Sequence, residues 1–210
     1  MRTRADCQGF TRKELLVVIA VLVVLGVMAV PMLAQWKHKA SHMFCVSNLK
    51  QVGISFRIWA DDRHDQYPML VLAGTNRAPA AANGADTYRY FQVISNELVS
   101  PRLLVCPNDT RSSVENFADL KNINVSYFVN LDATEIDPQM PISGDRNITG
   151  ATPPINGILT FKDGDSVGWT TAIHNRRGNV IMGDGSVQWV EPVLTITGLA
   201  TNVWRLSLPE

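Results

Sequence analysis

From Leu15 to Ala34 the chain carries no charged residue, and its apolar positions show no polar face. Beyond that run, apolar residues recur at Cys45, Leu49, Val52, Phe56 and Trp59, spaced by four, three, four and three. That spacing marks one apolar stripe along a helix, and Lys50, Gln51 and Arg57 fall off it. The two patterns together predict a single helix from near Phe10 to Trp59, apolar all round in its first part and amphipathic in its second. At a rise of about 1.5 Å per residue the uncharged run spans roughly 30 Å, the thickness of a bilayer's hydrocarbon core. A secretory signal has a shorter core that ends in a small-residue cleavage site. Here the basic leader stands in front of a much longer core.

The remaining pattern is one of short elements. Asp61, Asp62, Asp65 and Tyr67-Pro68 end the helix in a polar loop, which lacks the glycine and final glutamate of a helix–loop–helix calcium site. Residues 73–87 are small, polar and breaker-rich and predict an exposed loop. A second helix is expected over Tyr90–Leu98, with Phe91, Ile94 and Leu98 on one face. Leu103–Cys106 is a short apolar run stopped by Pro107, and Val125–Leu131 has the β-branched and aromatic content of a strand. Gly144–Asn147 and the Asp163–Asp165 stretch read as turns. Asp184-Gly185 predicts a two-residue hairpin turn, with Met182 opposite Val187, Val180 opposite Trp189 and Ile181 opposite Gln188. In that register Val180, Met182, Val187 and Trp189 share one apolar face. A turn over Asn175–Gly178 then makes Trp169–Ile173 a third strand. His174 and Asp184 would lie at opposite ends of one strand, about 15 Å apart at 3.3 Å per residue, too far to act as a dyad.

Net charge is zero, with 19 basic and 19 acidic residues, so no basic excess points to nucleic acid. Arg2, Arg4, Arg12 and Lys13 favour a cytoplasmic N-terminus, although Lys37 and Lys39 on the far side of the run oppose that argument. His38 and His42 form an i,i+4 pair without a third ligand and read as solvated. No metal or other cofactor is expected. Of the three cysteines, Cys45 and Cys106 are a candidate disulfide if the chain lies in an oxidising compartment, with two buried free thiols as the alternative. Closing a loop of about 60 residues would contribute roughly 4 kcal/mol.

The stretch GFTRKELLVVIAVLVVLGVMAVPML, Gly9–Leu33, resembles the prepilin-type leader of type IV pilins and type II secretion pseudopilins, usually G-F-T-L-I-E followed by an apolar helix. CVSNLKQVG at Cys45–Gly53, LLVCP at Leu103–Pro107, and His174 followed after nine residues by Asp184-Gly185 resemble segments of a large bacterial prepilin-like group. The chain departs from the pattern at Arg12 and Lys13, where the family has apolar residues. The resemblance implies cleavage by a prepilin peptidase between Gly9 and Phe10 and methylation of the new N-terminus on Phe10. It makes Glu14 the assembly carboxylate, neutralised by the terminal ammonium of a neighbouring subunit, and Pro31 a helix kink site. It supports pairing of Cys45 with Cys106.

The implied fold is α+β and pilin-like: a long N-terminal helix, transmembrane in its first half, packed against an antiparallel sheet. Residues 1–9 would be the leader, 10–34 the transmembrane and polymerisation helix, 35–60 its amphipathic continuation, and 61–210 an extracytoplasmic head ending in a β-meander. The implied place is the bacterial inner membrane, single-pass with the head in the periplasm or in a filament. The implied role is structural rather than enzymatic, as a subunit of a type II secretion pseudopilus or type IV pilus-like filament. Its partners would be the peptidase, other pilin-like subunits and the assembly platform. In this reading His174 orders a loop by hydrogen bonds, and Asp184 and Gly185 supply turn geometry. Two rival readings are an anchored binding protein that never polymerises, and an anchored hydrolase using His174 with Asp163, Asp165 or Asp184.

Overall fold

The computed structural model of the chain describes residues 11–73, 86–150, 152–191, 193–195 and 203–209, without the side chains of 28–39 and 193–195. Gly9 and Phe10 lie outside the described residues, and the side chain of Pro31 lies outside the described side chains. The chain divides into two compact units, Met1–Ala40 and Ser41–Glu210. Helix α1 covers Arg12–Asp61, 50 residues.

In the first unit, α1 opens with a reciprocal cap. Thr11 donates its N–H and its hydroxyl to Glu14 Oε2, both at 2.8 Å, and Glu14 N–H returns a bond to Thr11 Oγ1 at 3.4 Å. This is the capping-box arrangement, which satisfies two of the donors that every helix start leaves orphaned. The two bonds from Thr11 hold the Glu14 carboxyl below its ordinary range. From Leu15 to Val27 the large apolar side chains are exposed on every side, between 44 % for Val18 and 68 % for Val27.

The expected membrane placement is corrected here. Among the described residues no helix is long and apolar enough to cross a membrane. The single-pass inner-membrane localisation, and the transmembrane first half on which the pilin-like fold class rested, therefore do not stand. The fold class is corrected to a mixed α/β arrangement built on a six-stranded antiparallel sheet.

Among the described residues the second unit contains the last turns of α1, three short α-helices and nine strands. The helices are α2 (Pro68–Ala73), α3 (Tyr88–Val93) and α4 (Ser95–Leu98). The strands are β1 (Tyr127–Asn130), β2 (Pro141–Asp145), β3 (Ile148–Thr149), β4 (Ile158–Lys162), β5 (Ser166–Trp169), β6 (Gly178–Met182), β7 (Val187–Val190), β8 (Val193–Thr195) and β9 (Val203–Ser207). The larger sheet has the order β4-β9-β1-β2-β6-β7 and the smaller β3-β5-β8, with all pairings antiparallel. Every residue of β1 and β2 is buried, because both faces of the larger sheet are covered.

On one face lies the α1 stripe. Cys45, Leu49, Val52, Phe56 and Trp59 are all buried and cluster with Tyr127, Val129, Ile142 and Ile181. On the other face Phe128, Leu159, Phe161, Val180 and Leu206 meet Ile148, Val167 and Trp169 of the smaller sheet. The helix expected over Tyr90–Leu98 is broken at Ile94 into α3 and α4, yet Phe91, Ile94 and Leu98 are fully buried as the pattern required.

Helix and sheet approach closely at Gly53, where an added Cβ would lie 2.4 Å from Ile181 Cγ1. A Gly53→Val chain is therefore expected to lose about 1–3 kcal/mol through overpacking, read as a lower urea midpoint with an unchanged slope. An unchanged midpoint would mean that the helix is free to shift away from β6. Cys45 and Cys106 form a disulfide across 61 residues, with Cα atoms 5.0 Å apart, and Asn48 Nδ2 donates to the Val105 carbonyl at 3.3 Å. These bonds tie α1 to the segment that precedes the sheet.

The C-terminal hairpin differs from the expected register by one residue. Ile181 pairs with Val187, Val180 with Gln188 and Asn179 with Trp189. Gly185 N–H donates to Met182 O, and Met182 N–H donates to Ser186 O. The loop therefore holds three residues, Gly183 to Gly185, with Gly185 at φ +83 in the left-handed position that such loops need. A one-residue slip turns alternate side chains to the other face. Val187 and Trp189 accordingly lie on the α1 side with Asn179 and Ile181, away from Val180 and Met182. The expected third strand over Trp169–Ile173 is also absent: β5 ends at Trp169 and pairs with β3 and β8.

Candidate functional site: a buried histidine and carboxylate beside the disulfide

Four polar segments converge where the end of β2 meets the start of β6. After β5 the chain turns through 171–176, and His174, Asn175 and Arg176 take consecutive positive φ angles of 54, 51 and 68 degrees. Such a run is costly for residues with a Cβ and persists only when its surroundings enforce it. Asn147 supplies the enforcement. Its Nδ2 donates to the carbonyls of Thr170 at 2.8 Å and Ile173 at 2.9 Å, and its own carbonyl accepts from Thr170 N–H at 2.8 Å.

The loop thereby buries the His174 side chain, which is 1 % exposed, against Asp145, which is fully buried. His174 Nε2 lies 3.6 Å from Asp145 Oδ2 and 3.4 Å from Cys106 Sγ. Its Nδ1 lies 3.0 Å from the side-chain amide of Asn108. Asp145 is the last residue of β2, and its Oδ2 accepts the Asn179 backbone N–H at 2.7 Å and Asn179 Nδ2 at 2.9 Å. Asp145 Oδ1 has no hydrogen-bond partner. Asn179 Oδ1 meets His42 Nε2 at 3.1 Å, and the His42 ring stands edge-on to both His174 and Trp189, with centroids 5.3 and 4.0 Å away. Beside this group Arg146 clamps Asp109 with bonds of 2.8 and 2.7 Å.

Burial sets the protonation here, since a charge removed from water is disfavoured. Desolvation pushes the Asp145 carboxyl up to about 7 against the two bonds from Asn179, with a smaller push from the Asp109 charge. Desolvation, with a small push from His42, brings His174 down to about 4. Burial also acts to raise Asp109, but the two bonds from Arg146, together with the Arg146 charge, hold it below its ordinary range. Between about pH 4 and pH 7 the Asp145–His174 pair therefore holds one proton.

The expected site residues separate under this geometry. His174 is buried. Asp184 is exposed on the hairpin, where its Oδ1 accepts Ser186 N–H at 2.7 Å. The two bonds from Ser186 keep its carboxyl low. Asp165 Oδ2 accepts Lys162 N–H at 2.8 Å in the β4–β5 turn. The acidic partner at His174 is thus Asp145, a residue read from sequence only as part of a turn. His42 does not behave as a solvated helix residue, because its ring packs within this group.

Two sets of potential metal donors occur among the described residues, each with its donor atoms within 4.8 Å of one another: Cys45, Cys106 and His174, and Asp61, Asp65 and Glu135. The second is an exposed acidic group facing Arg57, whose Nε lies 3.9 Å from Glu135 Oε1.

No family model matches the chain, no curated protein matches it, and no solved structure matches it.

Proposed function

We propose that the protein is a structural subunit, cleaved between Gly9 and Phe10 by a prepilin peptidase and assembled through α1 into a pseudopilus or pilus-like filament. Other pilin-like subunits, of this chain or of related chains, would pack against its helix, and an assembly platform would drive the polymer. The observation that carries the reading is the exposure of large apolar side chains at nearly every position from Leu15 to Val27. A stripe would suit one neighbour, but an apolar surface all round requires burial among several similar helices. The second unit provides a folded body with its own core and disulfide, and it needs no help from the exposed helix to bury its apolar residues.

Glu14 supplies the experiment. Its carboxylate is engaged by Thr11 within its own chain, so its charge and its capping geometry have to be separated. A glutamine at N3 preserves a capping box, whereas an alanine does not. Glu14→Gln and Glu14→Ala are both expected to be cleaved normally and to lose at least nine-tenths of filament yield, because both lack the charge that a neighbour's terminal ammonium would meet. Normal yield from Glu14→Gln would show that Glu14 serves only as a cap and would remove its assembly role.

A further inference from the structure

We infer that Cys45, Cys106 and His174 form a redox-exclusive site for a thiophilic divalent metal, zinc above all, which opens when the disulfide is reduced and closes when it forms. The three donor atoms already lie within 4.8 Å of one another. A tetrahedral zinc holds sulfur at about 2.3 Å and imidazole nitrogen at about 2.0 Å. Neighbouring ligand atoms then stand roughly 3.3–3.8 Å apart by that geometry. His174 Nε2 is 3.4 Å from Cys106 Sγ, within that range, and the two sulfurs, bonded to each other in the disulfide, need to part.

Asp145 stands beside the set as an outer contact to His174 and is not grouped with both sulfurs, so a solvent molecule would take the fourth position. Asp145 Oδ2 lies 3.6 Å from His174 Nε2, its side chain is fully buried, and its Oδ1 has no partner. The outer contacts suit metal ligation too. Asn179 fixes the carboxylate with two bonds. Asn108 Nδ2 faces His174 Nδ1 at 3.0 Å; a flip of that amide on metal binding would bring its oxygen there to accept the ring proton and leave the Nε2 lone pair free, the usual second contact of a ligating histidine.

The chemistry balances. A dithiol passes two electrons and two protons to the disulfide, becoming a cyclic disulfide itself and leaving Cys45 and Cys106 as thiols. Zinc then displaces both thiol protons to solvent. Exchanging a neutral disulfide for one divalent cation and two thiolates leaves the net charge of the buried group unchanged, which avoids the cost of burying an uncompensated ion. Disulfide and metal cannot coexist, since both use the same two sulfurs.

The test uses the full chain, refolded with a phosphine reductant and compared with the oxidised chain, with near-ultraviolet circular dichroism as the check on folding. The reduced chain is expected to bind one zinc ion in competition with a chromophoric chelator. With cobalt it should show thiolate charge-transfer bands and tetrahedral d–d bands. The oxidised chain should show neither. His174→Ala should weaken zinc binding at least tenfold, and Cys45→Ser should abolish the charge-transfer bands. Zinc uptake equal in the reduced and oxidised chains, an octahedral cobalt spectrum, or full affinity in folded His174→Ala would each overturn the proposal.

Discussion

Replacing Leu16 and Val23 together by Glu is expected to leave the protein folded but unassembled. The two positions are seven residues apart on α1, hence on one face, and they are 66 % and 58 % exposed. Burying each against a neighbouring helix contributes about 2 kcal/mol. Losing both removes about 4 kcal/mol, roughly a thousandfold in subunit affinity, and the buried carboxylates would weaken association further. Sedimentation should move the variant from the polymer to the monomer fraction, while near-ultraviolet circular dichroism and the urea midpoint of the Ser41–Glu210 unit stay unchanged. Assembly at wild-type concentrations would mean that this helix surface is not the contact.

Opposite pH dependences are expected when the buried pair is split in the disulfide-bonded chain. In Asp145→Asn, His174 remains buried with a pKa near 4 against an ordinary value of 6.5. A depressed histidine makes the unfolded chain bind more protons, so stability is lost as pH falls from 6.5 toward 4, by about 3 kcal/mol. In His174→Asn, Asp145 keeps a pKa raised to about 7 from 3.8. A raised carboxyl makes the folded chain bind more protons, so stability is lost as pH rises from about 4 to 7, by about 4 kcal/mol. In the wild type the two dependences cancel between about pH 4 and 6.5, because the folded pair and the unfolded pair each hold one proton there. Urea midpoints at half-unit pH steps, taken as differences from wild type, should slope in opposite directions. Two variants running parallel to wild type would show that the pair does not share a proton.

Legibility in the sequence followed the range of the interactions. The Cys45–Trp59 stripe was readable because a helix repeats locally, and all five positions are buried. The hairpin around Asp184-Gly185 was readable as a hairpin, but its register was not. Gly183 joins the loop, and the resulting slip of one residue brings Trp189 to within 4.0 Å of His42 between ring centroids. Asp145 was hidden for a different reason. Locally, Gly144-Asp145-Arg146-Asn147 has turn composition, and only the pairing of β2 with β6 places Asn179 over the carboxylate. The one available signal was the repetition of Asn, Asp and Arg in the segments at Asn108-Asp109, Asp145–Asn147 and His174–Asn179, which the fold gathers around one imidazole. At the N-terminus, Thr11 and Glu14 stand at capping-box spacing, so the carboxylate has a partner within its own chain. The membrane expectation, drawn from the run Leu15–Ala34, does not stand, since among the described residues no helix is long and apolar enough to cross a membrane.

The assembly account rests on one covalent event and one physical state occurring in the same molecules. Mass spectrometry of the N-terminal peptide from isolated polymer tests both together. The account predicts a peptide that begins at Phe10, one methyl group heavier than the unmodified sequence, enriched in the polymer fraction and lost from it in the Leu16→Glu, Val23→Glu chain. A polymer fraction without this protein, or one containing it with Met1–Gly9 still attached, would contradict the account.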